Sequence, residues 1–224
     1  MITVSANVNP RAHRFVDFIS SLALAWRLHR PPHPATLHLL PPSLPAAVSH
    51  SNCLEWRQQA LLKSPMVRFM VDAMGKAGCP LSSTDIQCCS CNGSVGGGFD
   101  PTTRRVVLCE NGLQGPMHAE TTLVHELVHA FDDCRAHVDW SNCVHHACSE
   151  IRAANLSGDC AFWQEVRRGH ASFINFKAKG EACVKRRAEL SVGQNPACAG
   201  KEKEAVAAAW SSCFPDTEPF FRTP

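Results

Sequence analysis

Apolar positions in the second half of the chain recur mostly with helical spacing. In Thr121-Thr-Leu-Val-His-Glu-Leu-Val-His-Ala-Phe131, the residues Leu123, Val124, Leu127, Val128, Ala130 and Phe131 predict a largely buried helix that begins near Met117, after Pro116. Upstream, Cys53 to Leu62 reads as a short helix. Ser64-Pro65 then opens another, with serine as N-cap and proline at the first helical position. Met66, Val67, Phe69, Met70, Val71 and Met74 give that helix its apolar stripe, and Gly78 with Pro80 stops it. Between the two regions the period changes. Val95-Gly-Gly-Gly-Phe99, a turn at Asp100-Pro-Thr-Thr103 and Arg104 to Cys109 read as a β-hairpin, and Asn111-Gly112 turns the chain after it. Downstream, Asp132 to Trp140 is polar, and Ser141 is expected to cap a helix running to Asn155, ended by Leu-Ser-Gly158. Asp159 is expected to start a helix through Phe162, Trp163, Val166, Phe173, Ile174 and Phe176. Two more follow, around Cys183–Val192 and Lys201–Cys213.

Residues 1–50 break this order. Phe15 to Leu28 is apolar but interrupted by Asp17, Ser20, Ser21 and Arg27, too short and too polar to span a bilayer. Pro31-Pro-His-Pro34 and Pro41-Pro-Ser-Leu-Pro45 read as a stiff spacer. The expected division is therefore a disordered, proline-rich extension over 1–50 and one folded domain over 51–224.

The chemistry concentrates in the central helix. Residues four apart share a helix face, so the imidazoles of His125 and His129 point the same way. Two neutral imidazoles at this spacing hold a Zn²⁺ at about 2.0–2.1 Å each. Glu126, about 100° round the helix, lies beside such an ion and is placed to take a proton from a water there. That division of labour belongs to zinc peptidases. The expected fold is thus α+β: a mostly helical, zincin-like metalloprotease domain with a small β-hairpin or sheet. The glycine-rich hairpin admits close backbone approach, so its edge is a candidate for pairing with an extended substrate.

A catalytic zinc takes three protein ligands. The metzincin position for the third, six residues after His129, is Arg135, so that pattern fails. Glu150, on the next expected helix, is the preferred ligand, with His137 and Asp139 as competitors and His145 and His146 behind them. Asp132 or Asp133 is placed to orient a ligand imidazole. The chain has no tyrosine, and His137, His145 or Arg152 are candidates to stabilise an oxyanion.

Composition narrows the setting. The net charge is +2, of which residues 1–50 carry +3 and the remainder −1, so nothing argues for direct nucleic-acid binding. Lys177, Lys179, Lys185, Arg186 and Arg187 read as a solvated basic face, with a membrane-surface role as the alternative. Thirteen cysteines spread from Cys53 to Cys213 suit a disulfide framework in an oxidising compartment, and their odd number leaves at least one thiol. Cys88-x-x-Cys91 is followed by a loop-like Asn92-Gly-Ser-Val-Gly-Gly-Gly98, which disfavours a redox or second metal site.

Three runs together carry a family resemblance: Val-His-Glu-Leu-Val-His-Ala-Phe-Asp132, Cys-Arg-Ala-His-Val-Asp-Trp140 and Ala-Cys-Ser-Glu-Ile-Arg-Ala-Ala-Asn-Leu-Ser-Gly-Asp-Cys160. The chain resembles, over roughly residues 53–222, the mitochondrial inner-membrane metalloproteases that process a membrane subunit of the ATP synthase and assist its assembly. Relatives are also described as Ku-binding proteins. The resemblance implies zinc at His125 and His129, Glu126 as catalytic base, and a place in the intermembrane space, peripheral to the inner membrane. It also implies several disulfides among Cys53, Cys79, Cys88, Cys91, Cys109, Cys134, Cys148, Cys160, Cys183 and Cys213, with Cys89, Cys143 and Cys198 as extras. The implied partner is the precursor of the ATP synthase subunit. A non-proteolytic assembly chaperone or a Ku-binding interaction protein is the alternative function.

Overall fold

The computed structural model describes residues 46–92, 95–170 and 179–224. The apolar run at Phe15–Leu28, the proline spacer, Gly93 and Ser94, and Phe173, Ile174, Phe176 and Lys177 lie outside the described residues. Helix α1 spans Ala46–Lys63 and so begins upstream of the Cys53 start that was expected. In α2 (Pro65–Lys76), Ser64 Oγ accepts from the Val67 N–H at 3.2 Å, Pro65 fills the first turn, and Gly78 turns the chain at φ +88°. Val67, Met70 and Met74 are its buried positions.

Three strands follow: β1 (Ile86–Cys89), β2 (Gly97–Asp100) and β3 (Arg105–Cys109), in the order β1-β3-β2. The hairpin is present, with Gly97 opposite Leu108 and Phe99 opposite Val106 in antiparallel register. Strand β1 joins it in parallel, Ile86 opposite Val106. The Cys88-x-x-Cys91 stretch, for which the sequence pattern predicts no strand, thus begins in one. With only four residues, two of them cysteine, β1 has no period of its own; its pairing with β3 and the Cys53–Cys88 bridge to α1 define it.

Helix α3 (Pro116–Arg135) is the long central helix and α4 (Cys143–Leu156) follows it. The cap of α4 is Asn142 rather than Ser141. Asn142 Oδ1 accepts from the Val144 N–H at 2.9 Å, while the Ser141 hydroxyl donates to Asp139 at 2.6 Å and is unavailable. Next comes α5 (Phe162–Arg167), much shorter than expected because the chain turns through Gly169 at φ +75°. Asp159 does not start it; that carboxylate is buried and takes the guanidiniums of Arg168 and Arg187. Helices α6 (Lys179–Gln194) and α7 (Glu202–Cys213) complete the described fold. Among the described residues no helix is long and apolar enough to cross a membrane.

Among the described residues two large apolar cores result, beside a small one at Cys91, Val107 and Cys109. One gathers α1, α2, the sheet and α3 around Met70, Ile86, Leu123, Leu127 and Val128. The other gathers α6 and α7 against Ala147, Ile151 and Ala154 of α4. Helix α4 belongs to both, since its Ala153 and Leu156 enter the first. Of the basic cluster, Lys185, Arg186 and Arg187 are engaged within the fold. Arg186 pairs with buried Glu165 at 2.7 Å, Arg187 with Asp159 at 2.5 Å, and the Lys185 ammonium sits over the Trp210 ring.

Six disulfides tie these parts: Cys53–Cys88, Cys79–Cys134, Cys91–Cys109, Cys143–Cys198, Cys148–Cys213 and Cys160–Cys183. Two of the three cysteines taken as extras, Cys143 and Cys198, pair with each other. Cys89 is the free thiol, and burial pushes its pKa up. At about 2–4 kcal/mol each, the bridges supplement modest cores. Thiol titration of the unfolded, unreduced protein is therefore expected to give one reactive group per chain, and a Cys89→Ser variant none; two or more thiols in the wild type would break the framework.

Candidate metal centre and active site

One face of α3 and one face of α4 meet on three donor atoms. The coordinating atoms of His125, His129 and Glu150 all lie within 4.8 Å of one another. His125 Nε2 is 3.4 Å from Glu150 Oε2, and His129 Nε2 is 3.6 Å from Glu150 Oε1. A tetrahedral ion with bonds of about 2.0–2.1 Å spaces its donors about 3.3–3.4 Å apart, so the separations suit such an ion.

Hydrogen bonding fixes which His129 nitrogen faces this point. Asp132 is held by Arg152, whose Nε donates to Oδ1 at 2.9 Å, and by Arg135 Nε at 3.2 Å. Burial raises the Asp132 pKa while these two guanidiniums oppose the rise. Ser149 spends its one hydroxyl proton on Asp132 Oδ2 at 2.9 Å, so it can only accept from His129 Nδ1, 2.7 Å away. His129 therefore carries its proton on Nδ1 and turns a bare Nε2 lone pair towards Glu150. Burial lowers its pKa to about 3. A lone pair and a carboxylate oxygen now face each other, and Glu150 Oε2 is buried without a hydrogen-bond partner. Such an arrangement is costly unless a cation lies between them. The cluster also draws positive charge to itself: although burial opposes it, the nearby Glu150 and Glu126 carboxylates raise His125 to about 9. Burial raises the Glu150 carboxyl, but the His125 and His146 rings that face it outweigh burial and hold it well below the usual carboxylate range.

Glu126 is buried beside this point, and burial pushes its pKa up to about 7. Strand β2 lies against it. A Cβ at Gly97 would come within 2.7 Å of the Val107 carbonyl oxygen, 2.8 Å of Thr122 Cγ2 and 3.4 Å of Glu126 Cγ, so only glycine lets the strand approach α3 this closely.

The other candidates go elsewhere. His137 and Asp139 are exposed, and Asp139 accepts from the Ser141 N–H and hydroxyl at 2.9 and 2.6 Å. His145 is exposed and accepts from the Asp139 N–H. His146 does reach the cluster, with Nε2 3.3 Å from Glu150 Oε1. Asp133 takes the Trp140 indole N–H rather than a ligand imidazole. Arg152 is fully buried, with Nη1 donating to the Asp216 carbonyl at 2.6 Å and Nη2 to that of Glu218; it has no free edge for an oxyanion. Arg135 binds Asp132, Asp216 and Glu218, which explains why the metzincin position holds no ligand here. Ser149 and Asn195, the latter 3.3 Å from His146 Nδ1, are site residues that sequence reasoning missed. Ser149 carried one signal, its place beside Glu150.

The Peptidase M76 family matches residues 51–221. The chain belongs to that family. It is accordingly a metallopeptidase, and the Peptidase M76 match spans His125, Glu126, His129 and Glu150. The "Mitochondrial inner membrane protease ATP23" of Saccharomyces cerevisiae is 46% identical over 175 residues, covering 75% of this chain and 77% of the relative. The human protein described as its homolog is 42% identical over 179 residues, covering 79% and 72%. The Meyerozyma guilliermondii protease of the same name is 44% identical over 173 residues, covering 76% and 70%. No solved structure matches the chain.

The support beneath His129 has a stability consequence. Removing Asp132 leaves the Nε of the fully buried Arg152 guanidinium without its acceptor, although Asp216 still pairs with Nη1, so Asp132→Ala is expected to cost about 3 kcal/mol in urea unfolding. Asp139→Ala, at an exposed loop, is expected to change stability by less than about 1 kcal/mol.

Proposed function

We propose that this chain is a zinc endopeptidase in which His125, His129 and Glu150 hold the ion and Glu126 moves the protons of peptide hydrolysis. The observation that carries this reading is the bare His129 Nε2 facing Glu150 Oε1 at 3.6 Å beside the unpartnered Oε2. Two imidazoles and one carboxylate at tetrahedral spacing form a donor set used by catalytic zinc. When bound, zinc would supply polarisation of the scissile carbonyl and a water whose pKa falls to about 7. Glu126 takes the proton of the attacking water and returns it to the leaving amine. A carboxylate lifted to about 7 by burial is well matched to both transfers.

The substrate is read as an extended polypeptide that adds to β2, an edge of the sheet among the described residues. Gly97 brings that edge against Glu126, so a strand paired there lies next to the catalytic carboxylate. Residues 51–224 are taken as the peptidase domain and 1–50 as an extension, a division supported by the family match beginning at residue 51, although the last residues of the extension, from Ala46, already belong to α1. We take the substrate to be the precursor of an ATP synthase membrane subunit, from the resemblance of the motifs; the relatives' names support a protease at the mitochondrial inner membrane. A place in the intermembrane space, peripheral to the inner membrane, is supported by six disulfides, which need an oxidising compartment, and by the lack of a spanning helix among the described residues.

Glu126→Gln is expected to lower kcat by a factor of about 10²–10⁴ or more while one zinc per chain is retained. Glu150→Ala is expected to abolish stoichiometric zinc, and His137→Ala to leave it intact. Elemental analysis with a peptide-cleavage assay separates these outcomes; full zinc in Glu150→Ala would remove Glu150 from the ligand set.

A further inference from the structure

Behind Glu150 lies a second chain of polar contacts, on elements unconnected with the α3 motif. Asn195 stands just past the end of α6 and is buried. Its Oδ1 accepts from the Ala197 N–H at 3.0 Å, which assigns its other side-chain atom as the amide nitrogen. That NH₂ donates to the Trp140 carbonyl at 3.3 Å and to His146 Nδ1 at 3.3 Å. An imidazole that accepts at Nδ1 carries its proton on Nε2. The His146 Nε2–H faces Glu150 Oε1, 3.3 Å away. Oε1 thus has a donor, and Oε2 alone has no hydrogen-bond partner.

Asn195 is also fixed in space. Within its turn, Cys198 N donates to the Asn195 carbonyl at 2.9 Å and Ala199 N does so at 3.0 Å. Cys198 is fully buried and bridged to Cys143, one turn before His146 on α4. The turn that presents the amide is therefore bonded covalently to the helix that presents both the imidazole and the carboxylate. The Trp140 ring closes the assembly edge-on, 6.0 Å from His146 and 5.8 Å from His129.

We propose that Asn195 and His146 are a positioning pair: the Asn195 amide fixes the His146 tautomer, and the His146 Nε2–H holds Glu150 in the orientation that binds the metal. This inference rests on the reading of Glu150 as a ligand. In this role both act through Glu150. The arrangement is the carboxylate counterpart of Ser149 and Asp132 acting on His129.

The test is metal binding by the full chain, read by zinc competition against a chromophoric chelator and by the visible spectrum of the Co²⁺-loaded protein. Asn195→Leu removes the donor at Nδ1 without adding charge, so nothing holds the imidazole proton on Nε2. It is expected to weaken zinc binding about 10–100-fold and to alter the Co²⁺ spectrum. His146→Leu is expected to do the same. His146→Gln, which keeps an N–H where Nε2 stood, is expected to recover most of the affinity. The comparison of His146→Gln with His146→Leu decides the matter if Asn195→Leu fails to fold. Wild-type zinc affinity and Co²⁺ spectra in both Asn195→Leu and His146→Leu, with zinc lost in Glu150→Ala, would overturn the pair and leave the ligand set standing. Zinc retained in Glu150→Ala would overturn both.

Discussion

A buried lone pair set against a buried carboxylate is the constraint on which the rest of this structure depends. His129 Nε2 and Glu150 Oε1 both accept and neither donates to the other, yet they stand 3.6 Å apart, with Glu126 close by. In water such groups would part or take up protons. Held on packed helices, they define a position of strong negative potential that only a cation relieves. Positive charge is thus favoured at a point where a lone proton satisfies just part of the cluster.

Holding such a cluster together requires a frame that does not relax, and the frame is shared out. The apolar core of α1, α2 and the sheet fixes α3 through Leu123, Leu127 and Val128. The second core fixes α4 through Ala147, Ile151 and Ala154. Disulfides join what hydrophobic burial alone would hold weakly: Cys79–Cys134 ties the end of α3 to the turn after α2, and Cys148–Cys213 ties α4 to α7. Each bridge contributes most by restricting the unfolded chain, so it adds stability to a geometry that native packing fixes.

The helical elements were legible in the sequence because their apolar residues repeat with a helical period and their caps have chemical signatures. Ser64-Pro65 is the plainest case. The two histidines and Glu126 were legible for the same reason, since helix geometry alone fixes how residues one and four apart are disposed. Strand β1 was not, because its definition lies in β3 and in a disulfide rather than in its own four residues. The cap of α4 slipped by one position because Ser141 and Asn142 are chemically equivalent until Asp139 takes the serine hydroxyl. Asn195 was invisible for a deeper reason. It meets His146 across 49 residues through a turn folded against another helix, and no local pattern marks such a partner.

Helix α4 shows how little of a functional helix is left over once its positions are assigned. His146 and Glu150, four apart, form the stripe that faces the candidate metal position. Ser149 and Arg152, three apart, form the adjoining stripe, and both end on Asp132. Ala147, Ile151 and Ala154 form the stripe that enters the second core, while Cys143 and Cys148 anchor the helix covalently. Ligand, support and scaffold therefore occupy neighbouring faces within three turns. Rotating α4 to improve any one contact would break the other two, and this is how fourteen residues hold the Glu150 carboxylate to a single orientation.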